Sequence, residues 1–119
     1  MNTTRPRSVP TADLPEVISR YLAAHRVRDT ATALAAFTHD AVVTDDGVTV
    51  RGTAAIGAWL QRSSSEYTYT TELIGAVRVD ARHFVAVQHL EGDFPGGTVD
   101  LDFRFALRDG LVECLVIEV

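Results

Sequence analysis

An Asp46-Gly47 pair between two β-branched stretches is the feature that most constrains the fold of this 119-residue chain. Such a pair supplies the positive φ that a two-residue hairpin turn requires, so it predicts strands over 41–45 and 48–51. A helix is predicted to begin at Gly52, because apolar residues recur after it at helical spacing. The hairpin therefore delivers Asp45 at a strand end, opposite an amphipathic helix.

The residues before the hairpin predict two helices after a short lead. Residues 1–10 contain almost nothing to bury and are predicted to form a flexible lead outside the folded domain. A long amphipathic helix follows, because Asp13 can cap its start and Pro15 suits its first turn. Asp29 can begin a second, shorter helix that ends near Phe37.

The second half of the chain predicts long strands joined by short turns, because it is rich in β-branched and aromatic residues beyond a polar serine run at 63–65. The predicted strands are 67–79, 84–94, 99–107 and 111–119. The third of them alternates apolar and charged side chains, which is typical of a sheet with one covered face. We therefore predict one α+β domain over 11–119, with three helices from the N-terminal half over one face of a curved antiparallel sheet.

Composition argues against several classes of protein. The formal charge of -5 argues against a nucleic-acid partner, which would need a basic face. No apolar run is long enough to cross a membrane, so no membrane partner is expected. The single Cys114 allows no intrachain disulfide, which is typical of a reducing cytoplasm. No two histidines have the close spacing of metal ligands, so neither a metal nor another cofactor is predicted.

Three segments of the helical half carry a family resemblance: VISRYLAA at 17–24, FTHDAVVTD at 37–45 and GTAAI at 52–56. They are similar to the opening of ketosteroid isomerase and of the wider nuclear transport factor 2-like superfamily, which includes the SnoaL-like polyketide cyclases. The resemblance implies a cone-shaped α+β domain that encloses a deep pocket and is dimeric through its open sheet face. This superfamily hosts isomerases, cyclases, dehydratases and binding modules, so the fold alone does not decide the function.

The resemblance also assigns candidate catalytic residues. The proton-shuttling aspartate of ketosteroid isomerase falls on Asp45, and the tyrosine that donates a hydrogen bond to the substrate oxyanion falls on Tyr21. The third group of that site, a carboxylic acid kept protonated in an apolar setting, falls on Leu101. Asp45 also suits its role on physical grounds, because a carboxylate in a pocket wall loses hydration and becomes a competent base. Alternatively, Asp45 caps the hairpin turn.

Further candidates surround these positions. His25 lies one helical turn after Tyr21 and could share its cavity, or it could lie at the helix end simply because the dipole favours its charge there. Either face of the predicted strand 84–94 could point inward. A loose alignment to ketosteroid isomerase puts Val87, His89 and Glu91 on the pocket side, where His89 could act as a general acid or orient a substrate; alternatively, His89 is a core or interface residue. The remaining predicted lining residues belong equally to the core: Phe37, Trp59, Leu101, Phe103 and Phe105.

Two classes of function follow from these candidates. The first is a cofactor-independent enzyme that moves a proton on an apolar carbonyl or polyketide-like molecule, by isomerisation, aldol-type cyclisation or dehydration, with Asp45 as base and Tyr21 or His89 polarising the carbonyl. The second is a non-catalytic ligand-binding or dimerisation module with the same pocket. In either case we expect a homodimer through the open sheet face, because helices cover only one face of a sheet with much apolar content.

Overall fold

The computed structural model describes residues 6–119, apart from the side chains of residues 64–66. The described residues form three α-helices and a seven-stranded sheet, which confirms the predicted α+β fold class. The helices are α1 (Glu16–Arg26), α2 (Thr30–Ala35) and α3 (Gly52–Glu66). The strands are β1 (Arg7–Val9), β2 (Phe37–Asp45), β3 (Val48–Arg51), β4 (Tyr69–Arg78), β5 (His83–Gly92), β6 (Thr98–Arg108) and β7 (Leu111–Glu118). None of the described helices is long and apolar enough to cross a membrane.

The predicted hairpin turn and the predicted cap of α2 are both present. Asp46 and Gly47 join β2 to β3 with φ values of 52° and 77°, as a tight two-residue turn requires. The carboxylate of Asp29 accepts a hydrogen bond from the backbone N–H of Thr32 at 3.2 Å, which caps α2. β2 begins at Phe37, earlier than predicted, so α2 passes almost directly into the sheet.

The N-terminal segment differs from the prediction. Arg7–Val9 belong to the predicted lead but pair with β4 as an antiparallel edge strand, while residues 1–5 lie outside the described residues. α1 begins at Glu16 with Pro15 before it, and Asp13 belongs to a separate 3-10 turn instead of capping the helix. Pairing along a sheet edge uses backbone groups and needs no buried side chain, so the composition of the lead gave no sign of it.

The strand order of the sheet is β1-β4-β5-β6-β7-β2-β3. The strands from β4 to β7 form the predicted antiparallel meander. The pair of β2 and β7 is parallel, so the sheet is mixed rather than wholly antiparallel. These two strands are far apart in the sequence, and local alternation carries no information about the direction of such a pairing. α3 also continues through the predicted break at the serine run and ends at Glu66.

The pairing register sorts the side chains of the sheet onto two faces. Phe103 pairs with Ala86 on one side and with Ile117 on the other, and all three belong to the core beneath the helices. The intervening residues of β5, β6 and β7 lie on the opposite face, which none of the described helices covers. This open face carries Val85, Val87, His89, Asp100, Asp102, Arg104, Val116 and Glu118.

Gly92 at the end of β5 is a position of close backbone approach to β4. A Cβ at this position would meet the carbonyl oxygen of Thr68 and lie 2.6 Å from the Cβ of Tyr69. We therefore expect Gly92→Ala to lower the free energy of unfolding by about 3 kcal/mol, because the clash involves backbone atoms that cannot rotate away. Urea denaturation measures this loss.

The matched control for this substitution is Gly47→Ala in the hairpin turn. A Cβ there meets nothing within 4 Å, so only the positive φ opposes alanine. We expect a cost of about 1 kcal/mol from the left-handed conformation. Equal losses in the two variants would contradict the steric explanation for Gly92.

Candidate functional site

A cavity of about 420 Å³ lies between the helices and the covered face of the sheet. Its wall on the sheet side is apolar and consists of Leu90, Val99, Leu101, Phe103 and Ile117. The other lining residues are His25, Asp45, Asp46, Trp59, Ser63, Tyr67, Tyr69, Phe94 and Val119. Glu118 also borders the cavity at the end of β7, while its carboxylate pairs with Arg104 on the open face. Among the described residues, no group of three or more histidine, cysteine or carboxylate side chains is arranged to hold a metal ion. An apolar cavity with a few polar groups is the usual construction of a small-molecule site.

Asp45 ends β2 and lines this cavity. The parallel pairing of β2 with β7 sets it beside Ile117, which lines the same cavity. From α3, Nε1 of Trp59 donates a hydrogen bond to Oδ2 of Asp45 at 3.1 Å. The position of the carboxylate is therefore determined by two elements, the strand that carries it and the helix packed across from it.

Tyr21, His25 and Tyr69 form a second polar group, which we call the tyrosine–histidine cluster. The rings of Tyr21 and His25 are stacked, with their centroids 5.9 Å apart. The hydroxyl oxygen of Tyr69 lies 3.4 Å from Nε2 of His25, and it donates a long hydrogen bond of 3.5 Å to the carbonyl oxygen of Ser63. His25 and Tyr69 line the cavity, whereas Tyr21 is completely buried. The cluster thus presents one phenol and one imidazole to the cavity.

Burial controls the ionisation of this cluster. It lowers the pKa of His25 to about 4, with the positive charge of Arg28 as a second cause. Burial also raises the pKa of Tyr21 far above its ordinary value, and Tyr69 and Asp45 add to this effect. The pKa of Tyr69 is raised by burial, while Arg28 opposes the shift and Asp45 supports it. All three side chains of the cluster are therefore uncharged at neutral pH and available as hydrogen-bond donors.

Two polar atoms of the cluster have no hydrogen-bond partner within the part of the chain that the structure describes. They are the hydroxyl of Tyr21 and Nδ1 of His25. An unpaired buried polar group costs about 1–3 kcal/mol, so such groups are rare in native structures and each calls for an explanation. Their position next to the cavity marks this end of it as a candidate site.

Some of the predicted site residues on α1, β2, α3 and β6 line the cavity, and the others lie in the core behind it. Those that line the cavity are Asp45, His25, Trp59, Leu101 and Phe103. Tyr21, Phe37 and Phe105 are buried in the core instead. The rings of Phe37 and Phe105 contact the ring of Tyr21 edge-on, with centroid distances of 5.4 Å and 5.8 Å. These two phenylalanines therefore hold the cluster in place from behind.

Val87, His89 and Glu91 do not line the cavity, contrary to the prediction. Leu90 lines the cavity, and because side chains alternate along a strand, the three odd-numbered residues lie on the open face. There, Nδ1 of His89 lies 2.6 Å from Oδ1 of Asp100, and its Nε2 lies 3.5 Å from Glu91. The hydrogen bond with Asp100 is the main cause of a raised pKa of His89. An alignment error of one residue moves every side chain of a strand to the other face, which explains the wrong assignment.

Several residues that line the cavity are absent from the predicted site. For some of them, the sequence pattern could have indicated their position. Val99 shares the alternation of Leu101 and Phe103, so it could have been included with them. Leu90 and Ile117 follow only once the pairing of their strands with β6 is known. Tyr69 gave no signal in the sequence, because its place in the cavity depends on the extension of α3 to Glu66 and on the pairing of β4 with β5.

Comparison with solved structures identifies the family. The protein SMa1630 from Sinorhizobium meliloti, a candidate polyketide cyclase, is 30% identical to this chain. The match covers 92% of this chain and 100% of that chain, with a TM-score of 0.86. The chain belongs to the SnoaL-like, nuclear transport factor 2-like superfamily.

More distant structures share the SnoaL-like fold. A protein with a ketosteroid isomerase-like fold from Catenulispora acidiphila is 18% identical, with 88% of this chain and 85% of that chain covered and a TM-score of 0.77. TerC is 19% identical, with 87% and 88% covered and a TM-score of 0.76. No protein-family model and no curated protein matches the chain. The roles of individual residues in this SnoaL-like protein therefore have to be argued from its cavity.

The low pKa of His25 makes the stability of the protein depend on pH. In the unfolded chain, His25 becomes protonated below its ordinary pKa of 6.5. In the folded protein, His25 stays neutral down to about pH 4. The unfolded state binds more protons in this window, so the free energy of unfolding should fall as the pH drops from 6.5 to 4. We expect a loss of up to about 3 kcal/mol, measured by urea denaturation at several pH values.

Two histidine variants test the origin of this loss. His25→Gln should remove this part of the pH dependence, because an amide does not titrate in this range. His39→Gln alters an exposed histidine of β2 and should retain it. The same pH profile in His25→Gln and in the unmodified protein would show that His25 is not its source.

Proposed function

We propose that this protein is a cofactor-independent enzyme that moves a proton on a small apolar carbonyl or polyketide-like substrate. The observation that carries the proposal is that the carboxylate of Asp45 and the hydroxyl-bearing Tyr69 line one largely apolar cavity. A base and a hydrogen-bond donor that face the same cavity are the two parts that proton abstraction next to a carbonyl requires.

In the proposed reaction, Asp45 takes a proton from the carbon next to the substrate carbonyl. The enolate oxygen that forms then receives a hydrogen bond from a tyrosine of the tyrosine–histidine cluster, which stabilises the developing charge. The fate of the electron pair defines the reaction. Return of the proton from Asp45 to another carbon is isomerisation. Attack on a second carbonyl, whose oxygen then takes that proton, is aldol cyclisation. Loss of a β-hydroxyl group, which takes the proton and leaves as water, is dehydration. The apolar walls limit the access of water, which strengthens both electrostatic interactions.

The small size of the substrate is supported by the cavity volume of about 420 Å³. It is also supported by the neighbours of this chain, because the Catenulispora protein was crystallised with trimethylamine and TerC with polyporic acid. Both are small organic molecules. The apolar sheet-side wall favours a substrate with a hydrophobic body and few polar atoms.

A second candidate function is a ligand-binding module without catalysis. It is favoured by Leu101, because the family resemblance puts this apolar residue at the position of the protonated carboxylic acid of ketosteroid isomerase. It is also favoured by the hydrogen bond from Trp59 to Asp45, which gives the carboxylate a structural task. A module of this kind would bind an apolar molecule and leave its protons unexchanged.

The substitution Asp45→Asn tests the proposed base. It keeps the size of the side chain and an acceptor oxygen for Trp59, but it removes the group that takes the proton. We expect the exchange of the α-protons of 2-tetralone for deuterium in D₂O, followed by NMR, to slow by about 10²–10⁴-fold. The free energy of unfolding should change by about 1 kcal/mol or less, because the hydrogen bond is retained.

The matched control is Asp109→Asn in the turn between β6 and β7, outside the cavity. Asp109 has a φ of 53°, which asparagine tolerates, so this variant should keep the full exchange rate. A wild-type protein that binds 2-tetralone without exchanging its protons would favour the binding module. An exchange rate that Asp45→Asn leaves unchanged would remove Asp45 from the mechanism.

We further propose that the protein forms a homodimer through the open face of the sheet. The partly exposed apolar side chains of Val87 and Val116 lie on this face. Charged side chains on this face pair with one another, since Nε of Arg104 lies 2.6 Å from Glu118 and Nδ1 of His89 lies 2.6 Å from Asp100. Paired charges cost less to bury than single ones, so a second copy can cover this face.

Sedimentation at micromolar concentration tests the proposed dimer. We expect a species of twice the mass of the chain, and Val87→Glu should convert it to a monomer because it would bury an unpaired charge in the interface. Val48→Glu is the matched control, since Val48 on β3 is 64% exposed and pairs with Asp45, which lies on the cavity side of the sheet. A monomeric wild-type protein would contradict the proposal.

A further inference from the structure

We propose that Tyr69 donates the hydrogen bond to the substrate oxygen, that His25 positions its hydroxyl, and that Tyr21 lies behind both without touching the substrate. The inference rests on the proposed function for the kind of ligand, a carbonyl compound in the cavity of about 420 Å³. It differs from the assignment that the family resemblance implies, in which Tyr21 is the donor. Four observations support it.

The first observation is access to the cavity. Tyr69 lines the cavity, together with His25 and Asp45. Tyr21 is 0% exposed, and its ring is enclosed by His25, Phe37 and Phe105. A ligand that enters the cavity therefore meets the hydroxyl of Tyr69 before it can reach that of Tyr21.

The second observation is that the hydroxyl of Tyr69 is weakly engaged. It lies 3.4 Å from Nε2 of His25 and 3.5 Å from the carbonyl oxygen of Ser63. Hydrogen bonds from a hydroxyl to an oxygen are strongest near about 2.7–2.8 Å, so these contacts are long. Little is lost when the hydroxyl rotates from the Ser63 carbonyl to a ligand oxygen at a shorter distance.

The third observation concerns the direction of the hydrogen bonds around His25. Burial lowers the pKa of His25 to about 4, so the ring carries one N–H at neutral pH. If this proton is on Nε2, His25 donates to the oxygen of Tyr69, and the proton of Tyr69 is available for the ligand. Nδ1 is then an acceptor, and it has no partner among the described residues. A hydrogen bond that His25 donates to the phenol oxygen polarises the O–H bond of Tyr69, which makes this hydroxyl a stronger donor to the ligand.

The fourth observation is the cation next to Tyr69. The guanidinium carbon of Arg28 lies 5.4 Å from the centroid of the Tyr69 ring, and the guanidinium donates to the backbone carbonyl of Tyr69 at 3.4 Å. The positive charge counteracts the effect of burial and of Asp45 on the phenol. The charge of Arg28 therefore stabilises the negative charge that builds up on the phenol oxygen of Tyr69 when its proton is shared with a ligand.

The test uses two ligands of the same shape, 2-tetralone and tetralin, of which only the first has an oxygen. The single tryptophan of the chain, Trp59, lines the cavity, so quenching of its fluorescence reports binding of either ligand. We expect Tyr69→Phe to weaken binding of 2-tetralone about tenfold and to leave tetralin within about twofold, because only the ketone loses a hydrogen bond. Tyr21→Phe should leave both affinities within about twofold.

Variants of His25 separate positioning from packing. His25→Gln retains an amide N–H that can donate to Tyr69, so it should retain most of the preference for 2-tetralone over tetralin. His25→Leu keeps a bulky side chain without a donor, and it should lose several-fold of that preference. Equal preferences in the two variants would show that His25 does not act through the hydroxyl of Tyr69.

A measurement on the unmodified sequence decides the matter even if Tyr69→Phe does not fold. The chain has three tyrosines, so labelling them with ¹³C at Cζ gives a simple NMR spectrum. Adding 2-tetralone should shift the signal of Tyr69 more than that of Tyr21. A larger shift at Tyr21, an affinity for 2-tetralone that Tyr69→Phe leaves within twofold, or no binding of 2-tetralone would overturn the inference.

The outcomes for this inference and for the proposed catalysis are distinguishable. Binding of 2-tetralone that depends on Tyr69, with no proton exchange, would support the inference and contradict the catalytic role of Asp45. Proton exchange that depends on Asp45, with binding that is independent of Tyr69, would support catalysis and overturn the inference.

Discussion

The parallel pairing of β2 with β7 is the constraint on which the cavity depends. It joins the hairpin and α3 to the antiparallel meander, and its register sets Asp45 beside Ile117, which itself pairs with Phe103. A shift of one residue in this register would turn the side chain of Asp45 to the other face of the sheet. The hydrogen bond from Trp59 ties α3 to the same strand end. Strand pairing and helix packing therefore locate the carboxylate together.

The parts of the fold that could be predicted depend on local chemistry. The positive φ of the Asp46-Gly47 turn and the capping of α2 by Asp29 follow from the residues at those positions alone. The covered face of β6 follows from the alternation of its own side chains. The turn and helix patterns also predicted that Asp45 lies at the end of a strand opposite an amphipathic helix. The family resemblance then gave it a chemical role that no local pattern could have supplied.

The parts that could not be predicted depend on which strands pair and in which register. β5 is the clearest case, because Val85 is 6% exposed and Ala86 is 0% exposed although they lie on opposite faces. A strand that is apolar on both faces has no alternation from which its inward face can be recognised. His89 was for that reason assigned to the cavity and lies instead beside Asp100 on the open face. The place of Tyr69 has the same origin, since it is set by its pairing with Gly92.

The tyrosine–histidine cluster places buried polar atoms at the end of an otherwise apolar cavity, at a cost in stability. The unpaired hydroxyl of Tyr21 and Nδ1 of His25 each cost about 1–3 kcal/mol, which is a large share of the roughly 5–15 kcal/mol that stabilises a domain. A phenylalanine at position 21 would make the same ring contacts without this cost. Packing of Phe37 and Phe105 against Tyr21 offsets it and holds the rings in one arrangement. Neither of the two unpaired atoms contacts a ligand in the proposed arrangement. Tyr21 stacks on His25, and Nε2 of His25 lies 3.4 Å from the hydroxyl of Tyr69, which lines the cavity. The buried rings thus hold the donor before a ligand arrives, and donors that are positioned in advance stabilise developing charge most effectively. The loss of stability at this end of the cavity is therefore physically linked to the position of Tyr69.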